Sequence, residues 1–256
     1  MGILEGKVAI VTGGGQGLGE GAVYALCHEG ATVANFGRTY EKVARVADAV
    51  NGGGGRAMAF QCDVTDRASV DAAVAATVKE YGKIDILVNN AMTQRLVAFE
   101  EATAEDLMDA YKSSVLGTFN CMKACFPYLK KDGGKVINFG SGAGVSGVYG
   151  MSTYGAAKEA VRGLSKCLAT EWGKYNINVN VVVPSGNSPA WEKTKEHFGL
   201  DAAEKMLEGF LIKRPNLSLG DPMKDIGGVI VFLASSYSDY MTGRTLFADG
   251  GNAMFR

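Results

Sequence analysis

The stretch Lys7-Val-Ala-Ile-Val-Thr12, followed without a break by Gly13-Gly-Gly-Gln-Gly-Leu-Gly19, decides how this chain folds. An uninterrupted apolar run rich in β-branched residues suits a strand buried on both faces. It ends in a glycine cluster and passes straight into a helical pattern over residues 17–29. Gly13, Gly17 and Gly19 have the spacing G-x-x-x-G-x-G. Glycines at such a corner let the backbone turn tightly and approach a phosphate, towards which the helix N-terminus directs its amide donors. A G-x-G-x-x-A pattern at Gly17, Gly19 and Ala22 lies too far into the helix for that purpose.

Working outward, the alternation repeats. Apolar runs at 32–36, 57–61, 84–89, 135–139, 178–183 and 245–248 read as further strands, and 40–50, 67–81, 104–129 and 153–174 as helices. Strand–helix–strand units in series imply an α/β chain with a parallel sheet covered on both sides. No Pro/Ser-rich linker interrupts it, so residues 1–256 read as one domain. The exception to the rhythm is 185–222, an insertion after a strand end with a helix pair expected near 190–198 and 202–210. Ligands in open α/β sheets bind beyond the carboxyl ends of the strands, so this insertion is expected to be a substrate lid. Its Trp191, Phe198, Met206 and Phe210 would line an apolar pocket, or pack the lid onto the body.

Composition narrows the function. The net charge of −1 offers no electrostatic basis for binding nucleic acid or an anionic membrane. No segment has the roughly 18 apolar residues of a membrane helix. Cys27, Cys62, Cys121, Cys125 and Cys167 lack metal-ligand spacing, and only two histidines accompany them. No metal site is expected; buried free thiols in a reducing cytoplasm are.

Two sites carry the chemistry. Tyr154 and Lys158 stand four residues apart, about one helical turn, so they share a helix face. A lysine there would lower the phenol pKa towards the working pH, and Ser141, thirteen residues upstream, would hold a substrate oxygen. That trio suits moving a proton on and off an alcohol, and the glycine turn supplies a place for a dinucleotide hydride carrier. At the end of the second strand an acidic residue would bind a ribose hydroxyl; here Gly37 holds that position and Arg38 follows it. A guanidinium pairs with a 2′-phosphate, which favours NADP(H) over NAD(H). Asp63, followed by Val64 after the third strand, would accept from an adenine amino group; the alternative is a turn or cap before the next helix, where Thr65 and Asp66 are better placed.

Together these residues resemble the short-chain dehydrogenase/reductase family. The likeness runs from Lys7 to about Gly251 and includes Thr12 to Gly19, Asp63, Asn89-Asn90-Ala91, Ser141, Tyr154-x-x-x-Lys158 and Asp249-Gly250-Gly251. It implies a single-domain Rossmann fold with a doubly wound parallel sheet of about seven strands. It further implies that Tyr154 is the general acid/base, that Ser141 polarises the carbonyl and that Lys158 binds the nicotinamide ribose. Gly13, Gly15, Gln16, Gly17, Leu18, Gly19, Arg38, Asp63, Val64, Asn90, Ala91, Pro184, Ser185 and Gly186 would complete the coenzyme site. Three departures stand out: Met92 replaces the family's glycine, Ser114 its relay asparagine, and Pro184-Ser185-Gly186 its Pro-Gly.

The expected activity is NAD(P)-dependent interconversion of a secondary alcohol and a ketone. Met92, Tyr149, Met151 and Trp191 point to a bulky apolar substrate, steroid-like or aryl. A coenzyme-binding regulator without turnover, or a non-redox enzyme such as an epimerase or dehalogenase, would use much of the same residue set. The resemblance also implies a homotetramer or homodimer assembled through helices 104–129 and 153–174, with the C-terminal strand as a second interface.

Overall fold

The structure, a computed structural model, describes residues 2–253; residue 1 and residues 254–256, the ends of the expected domain, lie outside them. In chain order the elements are β1 (Val8–Thr12), α1 (Gly17–His28), β2 (Thr32–Gly37), α2 (Tyr40–Gly52), β3 (Arg56–Gln61), α3 (Arg67–Tyr81) and β4 (Ile86–Asn89). They continue with α4 (Ala104–Tyr111), α5 (Gly117–Asp132), β5 (Gly134–Phe139), α6 (Gly142–Ser146), α7 (Ser152–Trp172), β6 (Ile177–Pro184), α8 (Pro189–Phe198), α9 (Leu200–Glu208), α10 (Gly227–Ala234) and β7 (Thr245–Ala248). The strands form a seven-stranded sheet in the order β3-β2-β1-β4-β5-β6-β7, with every pairing parallel. This is the Rossmann-type α/β fold expected.

The two-residue period of a strand explains the layering. Ala9 and Val11 of β1 face one core, with Ala22 and Leu26 of α1, Val46 of α2 and Ile230 of α10. Ile10, between them, faces the other, with Val70 of α3, Cys125 and Leu129 of α5 and Trp172 of α7. All five residues of β1 are buried, as its unbroken apolar sequence requires. The chain leaves β1 for β2 on one side and reaches β4 on the other, so the strand order reverses between β1 and β4. That reversal opens a crevice at the carboxyl ends of these strands.

Local chemistry sets the helix ends. The Asp66 carboxylate caps α3 by accepting from Ala68 N, and Gly82 stops α3 in the left-handed region at φ 78°. Thr103 and Asp106 form a reciprocal capping box that starts α4.

Several sequence boundaries need correction. The helix expected over 104–129 is interrupted by a π-helical turn, Lys112–Leu116, between α4 and α5. Strand β3 is exposed at Arg56, Met58 and Gln61, because it is the sheet edge. Strand β4 starts at Ile86, since the Asp85 carboxylate instead accepts from Val8 N at 2.8 Å. Cys27, Cys62, Cys121 and Cys125 are buried free thiols, and burial pushes Cys62 up to about 11; Cys167, expected with them, is exposed. Among the described residues no group of His, Cys, Asp or Glu is arranged to hold a metal, and no helix is long and apolar enough to cross a membrane.

Candidate active site

The glycine turn between β1 and α1 is built for close approach. Gly17 has φ +59°, a left-handed conformation that side chains disfavour. At Gly19 a Cβ would lie 2.3 Å from the Gly13 carbonyl oxygen and 2.4 Å from Asn90 Nδ2, so no larger residue fits without shifting the turn. Thr12, which opens the Thr12 to Gly19 motif, organises this corner through its side chain. Its Oγ1 accepts from Asn90 N and Ala91 N, both at 3.1 Å. Asn90 Nδ2 returns the tie, donating to Thr12 O at 3.0 Å and Gly13 O at 3.1 Å. The ends of β1 and β4 are thereby fastened side by side.

Above this corner lies a cavity of ≈ 290 Å³ lined by Gly13, Gly15, Gln16, Gly17, Leu18, Arg38, Asp63, Val64, Asn90 and Ala91, among others. Arg38 is exposed at its rim and has no carboxylate partner among the described residues. Lys42, from the first turn of α2, lines the same cavity and donates to Gln16 Oε1 at 2.8 Å. It is a second cation that strand-end spacing did not reveal. Asp63 Oδ1 accepts from Thr65 N at 2.9 Å and Thr65 Oγ1 at 2.8 Å, so one of its oxygens is engaged in a turn while the residue still faces the cavity. Val64 O accepts from Asn120 Nδ2 at 3.0 Å, which anchors this loop to α5.

A second cavity, ≈ 200 Å³, holds Ser141, Tyr154 and Lys158 together with Pro184, Ser185, Gly186, Met151 and Trp191. Leu18, Asn90, Met92, Ser188 and Ala190 line both cavities, so the two adjoin. Ser141 caps the short helix α6 by accepting from Ala143 N at 3.1 Å. Tyr154 and Lys158 lie one turn apart on α7, both buried. Lys158 Nζ donates to Phe139 O at 2.9 Å and sits 5.7 Å from the centre of the Tyr154 ring.

The electrostatics correct a sequence expectation. The Tyr154 phenol is not lowered: burial pushes it up to about 12, with the Ser141 hydroxyl opposing that rise. Burial also holds the Lys158 ammonium down, to about 8. Desolvation disfavours the charged form of each group and is the first cause of both shifts. Tyr154 is therefore a neutral acid at neutral pH, beside a lysine that still carries its charge.

Other expected positions separate. Tyr149 is 71% exposed and lines neither cavity. Ser114 is buried in the π turn with its hydroxyl unpartnered and lines neither; its neighbour Ser113 does face the first cavity and accepts from Thr93 Oγ1 at 2.8 Å. Of the four apolar residues singled out between 185 and 222, Trp191 alone lines the second cavity. Its indole donates to Leu217 O at 2.9 Å, tying together the two limbs of that segment. Phe210 lines a different hollow, with Ile212 and Phe247. Ser188, absent from the sequence reading, lines both cavities and caps α8 by accepting from Trp191 N at 3.2 Å.

Residues 7–197 match the family described as short chain dehydrogenase. The chain belongs to that family. This short-chain dehydrogenase is 41% identical over 261 residues to a 12alpha-hydroxysteroid dehydrogenase of a Clostridium species, covering 98% of each chain. It is 31% identical over 250 residues to a hydroxynaphthalene reductase of Aspergillus fumigatus, covering 94% of this chain and 90% of that one. A crystal structure from Sinorhizobium meliloti, assigned to a short-chain alcohol dehydrogenase, superposes with a TM-score of 0.87 at 32% identity and covers 97% of both chains.

Short-chain dehydrogenases are oxidoreductases that act on CH–OH groups with a nicotinamide dinucleotide. The residues present fit that coenzyme: Gly13, Gly15 and Gly17 line the cavity without side chains, and a Cβ at Gly19 would push the turn off Gly13 and Asn90. In this short-chain dehydrogenase the cradle adjoins the cavity of Ser141, Tyr154 and Lys158.

Proposed function

We propose that this enzyme interconverts a secondary alcohol and a ketone on a bulky apolar skeleton, steroid-like or aryl, with NADP(H) as its preferred coenzyme. The observation that carries this reading is the shared wall of the two cavities, which sets a buried Tyr–Lys–Ser group beside a glycine-lined cradle. Gly13 to Gly19, Asn90, Ala91 and Pro184 to Gly186 would hold the coenzyme, with Arg38 and Lys42 facing its 2′-phosphate. When bound, it supplies or accepts hydride.

The protein's own residues handle the proton. In reduction the Ser141 hydroxyl donates a hydrogen bond to the substrate carbonyl oxygen, and Tyr154 Oη gives that oxygen its proton. The raised pKa keeps the proton on Tyr154 until negative charge develops on the carbonyl oxygen. The Lys158 ammonium then stabilises the tyrosinate left behind, an interaction strengthened by the same burial that excludes water. Oxidation reverses these steps. Ser114, with its hydroxyl buried and unpartnered, would hold a water behind the site in place of the family's asparagine.

Residues 185–222 act as the substrate lid. Met92, Met151 and Trp191 present the apolar surface beside Tyr154, which supports a polycyclic substrate. So do the names of the relatives, a hydroxysteroid dehydrogenase and a hydroxynaphthalene reductase. The test is Tyr154→Phe, assayed on a steroid and aryl ketone panel turned over by the wild type. Turnover should fall by about a hundredfold or more while coenzyme binding, followed by nicotinamide fluorescence, stays near normal. Near-normal turnover in that variant would remove Tyr154 from the mechanism.

A further inference from the structure

Strand β2 carries a polar residue where the sheet favours an apolar one. Asn35 is fully buried, and its sheet neighbours, Val11 of β1 and Ala59 of β3, are both apolar. It shares a sheet face with Val33, the face covered by α1 and α2. Its Nδ2 donates to Gly14 O of the glycine turn at 3.2 Å and to Val43 O of α2 at 3.1 Å. Carbonyls only accept, so the amide nitrogen has to face them. Oδ1 is left buried without a partner, and a Cβ on Gly14 would lie 2.1 Å from it. An unsatisfied buried acceptor costs stability that a valine at this strand position would not.

The turn is held residue by residue from the same side. Asn35 holds Gly14 O, Arg45 Nη2 donates to Gly15 O at 3.1 Å, and Lys42 Nζ donates to Gln16 Oε1 at 2.8 Å. Arg45 and Lys42 are exposed, so water competes for their contacts, whereas Asn35 is shielded from it. In a trans peptide the N–H points opposite to the C=O that precedes it. Fixing Gly14 O and Gly15 O therefore fixes the directions of the Gly15 and Gln16 amides. Both residues line the coenzyme cavity, and neither amide donates to an acceptor among the described residues. Both amides are free for an anion.

We propose that Asn35 is a positioning residue for the coenzyme. It locks the turn that presents these amides to α2, which carries Lys42, so that the pyrophosphate and the 2′-phosphate meet their donors on one rigid unit. This rests on the reading that the coenzyme is NADP(H). The role falls to a residue that lines neither cavity.

Asn35→Leu removes both donors at nearly constant shape. Coenzyme binding without substrate is followed by nicotinamide fluorescence. NADPH should bind roughly tenfold and NADH roughly threefold more weakly, since NADPH alone also needs α2 in place. In a Lys42→Ala background, adding Asn35→Leu should weaken NADPH by only the same roughly threefold, because the cation it positions is gone. At saturating coenzyme the KM for a ketone substrate should stay within about twofold of wild type. A general loss of structure would not separate the two coenzymes. If circular dichroism shows the leucine variant misfolded, Asn35→Ser, too short to reach both carbonyls, carries the same comparison. Unchanged affinities, an equal loss for NADPH and NADH, or a full NADPH loss in the Lys42→Ala background would overturn the proposal. If wild type binds NADH the more tightly, the coenzyme reading falls by itself. The hold of Asn35 on the turn then stands on a weaker NADH affinity in Asn35→Leu, and falls without one.

Discussion

Lys158 is the residue where structure and chemistry pull hardest against each other. Burial depresses its pKa from 10.5 to about 8, so at neutral pH the folded protein holds a charge that the unfolded chain would hold more easily. Between pH 8 and 10.5 the unfolded state binds more protons at this position, and stability rises with pH across that window. Tyr154 acts at higher pH: its raised pKa means the unfolded chain ionises first, so its contribution falls between pH 10 and about 12. Lys158→Met should therefore remove activity and flatten the rise. Measured by urea unfolding, wild type should gain on the order of 2 kcal/mol on the variant from pH 8 to pH 10. Parallel pH profiles would show that Lys158 is not desolvated. The coenzyme preference is also argued at single residues. Arg38→Ala and Lys42→Ala should each weaken NADPH binding by roughly tenfold, as loss of a charge-assisted contact does, with NADH little changed. An equal loss for both coenzymes would mean that these cations do not read a 2′-phosphate. Arg38 was legible in the sequence because its position follows from the end of β2. Lys42 was not, because only the angle at which α2 leaves the sheet turns it back over Gln16. The Tyr154 pKa was misread for a similar reason: spacing reveals a neighbouring charge but not the depth of burial.

At the scale of elements, strongly periodic segments were legible and their interruptions were not. The apolar pattern over 104–129 is continuous, and nothing in it announces the π turn at Lys112–Leu116. That turn accompanies tight packing: a Cβ on Gly117 would lie 2.6 Å from Val64 Cγ2, so helix and loop meet with no room to spare. The same shift leaves Ser114 behind the cavity that Ser113 lines. The segment 185–222 was legible as an insertion, and its helices fall close to expectation at α8 and α9. Its closure was not, because it depends on contacts between distant residues. Gly186 and Gly220 form a parallel bridge, Asn187 N donates to Gly220 O at 2.9 Å, and Asn187 Oδ1 accepts from Leu219 N at 2.8 Å. Asn187 thus clasps the two ends of the segment. Asn187→Ala should loosen the clasp while leaving the sheet intact. The expected outcome is a KM raised several-fold with a smaller change in kcat, and limited proteolysis that cuts first within 185–222. Unaltered KM and cleavage pattern would deny Asn187 this role.

For the whole molecule, the surface carries information that the fold does not use. The net charge is −1, so long-range repulsion between copies is weak. Leu107 and Met108 of α4, Leu116 of the π turn and Phe119 of α5 all remain substantially exposed. Apolar groups clustered along one helical rod are uncommon on a monomer and usually mark a surface covered by another chain. We infer that this rod pairs with its counterpart in a second copy, in a homodimer or, with a second interface at the C-terminal strand, a homotetramer. The sequence pointed to helix 104–129 as an interface only through the family resemblance; the exposed residues now supply a physical reason. Each of these side chains would contribute about 1–3 kcal/mol on full burial, and an isologous interface counts it twice. The double variant Met108→Lys, Phe119→Asp places charges at two half-exposed side chains of that apolar surface. Sedimentation velocity should show wild type as a dimer or tetramer and the variant as a smaller species, with far-ultraviolet circular dichroism unchanged. A variant that sediments like wild type at low micromolar concentration would rule this surface out as the interface. If the smaller species keeps its KM for a ketone substrate, the site of Ser141, Tyr154 and Lys158 is complete within one chain, as the lining of both cavities by this chain's own residues leads one to expect.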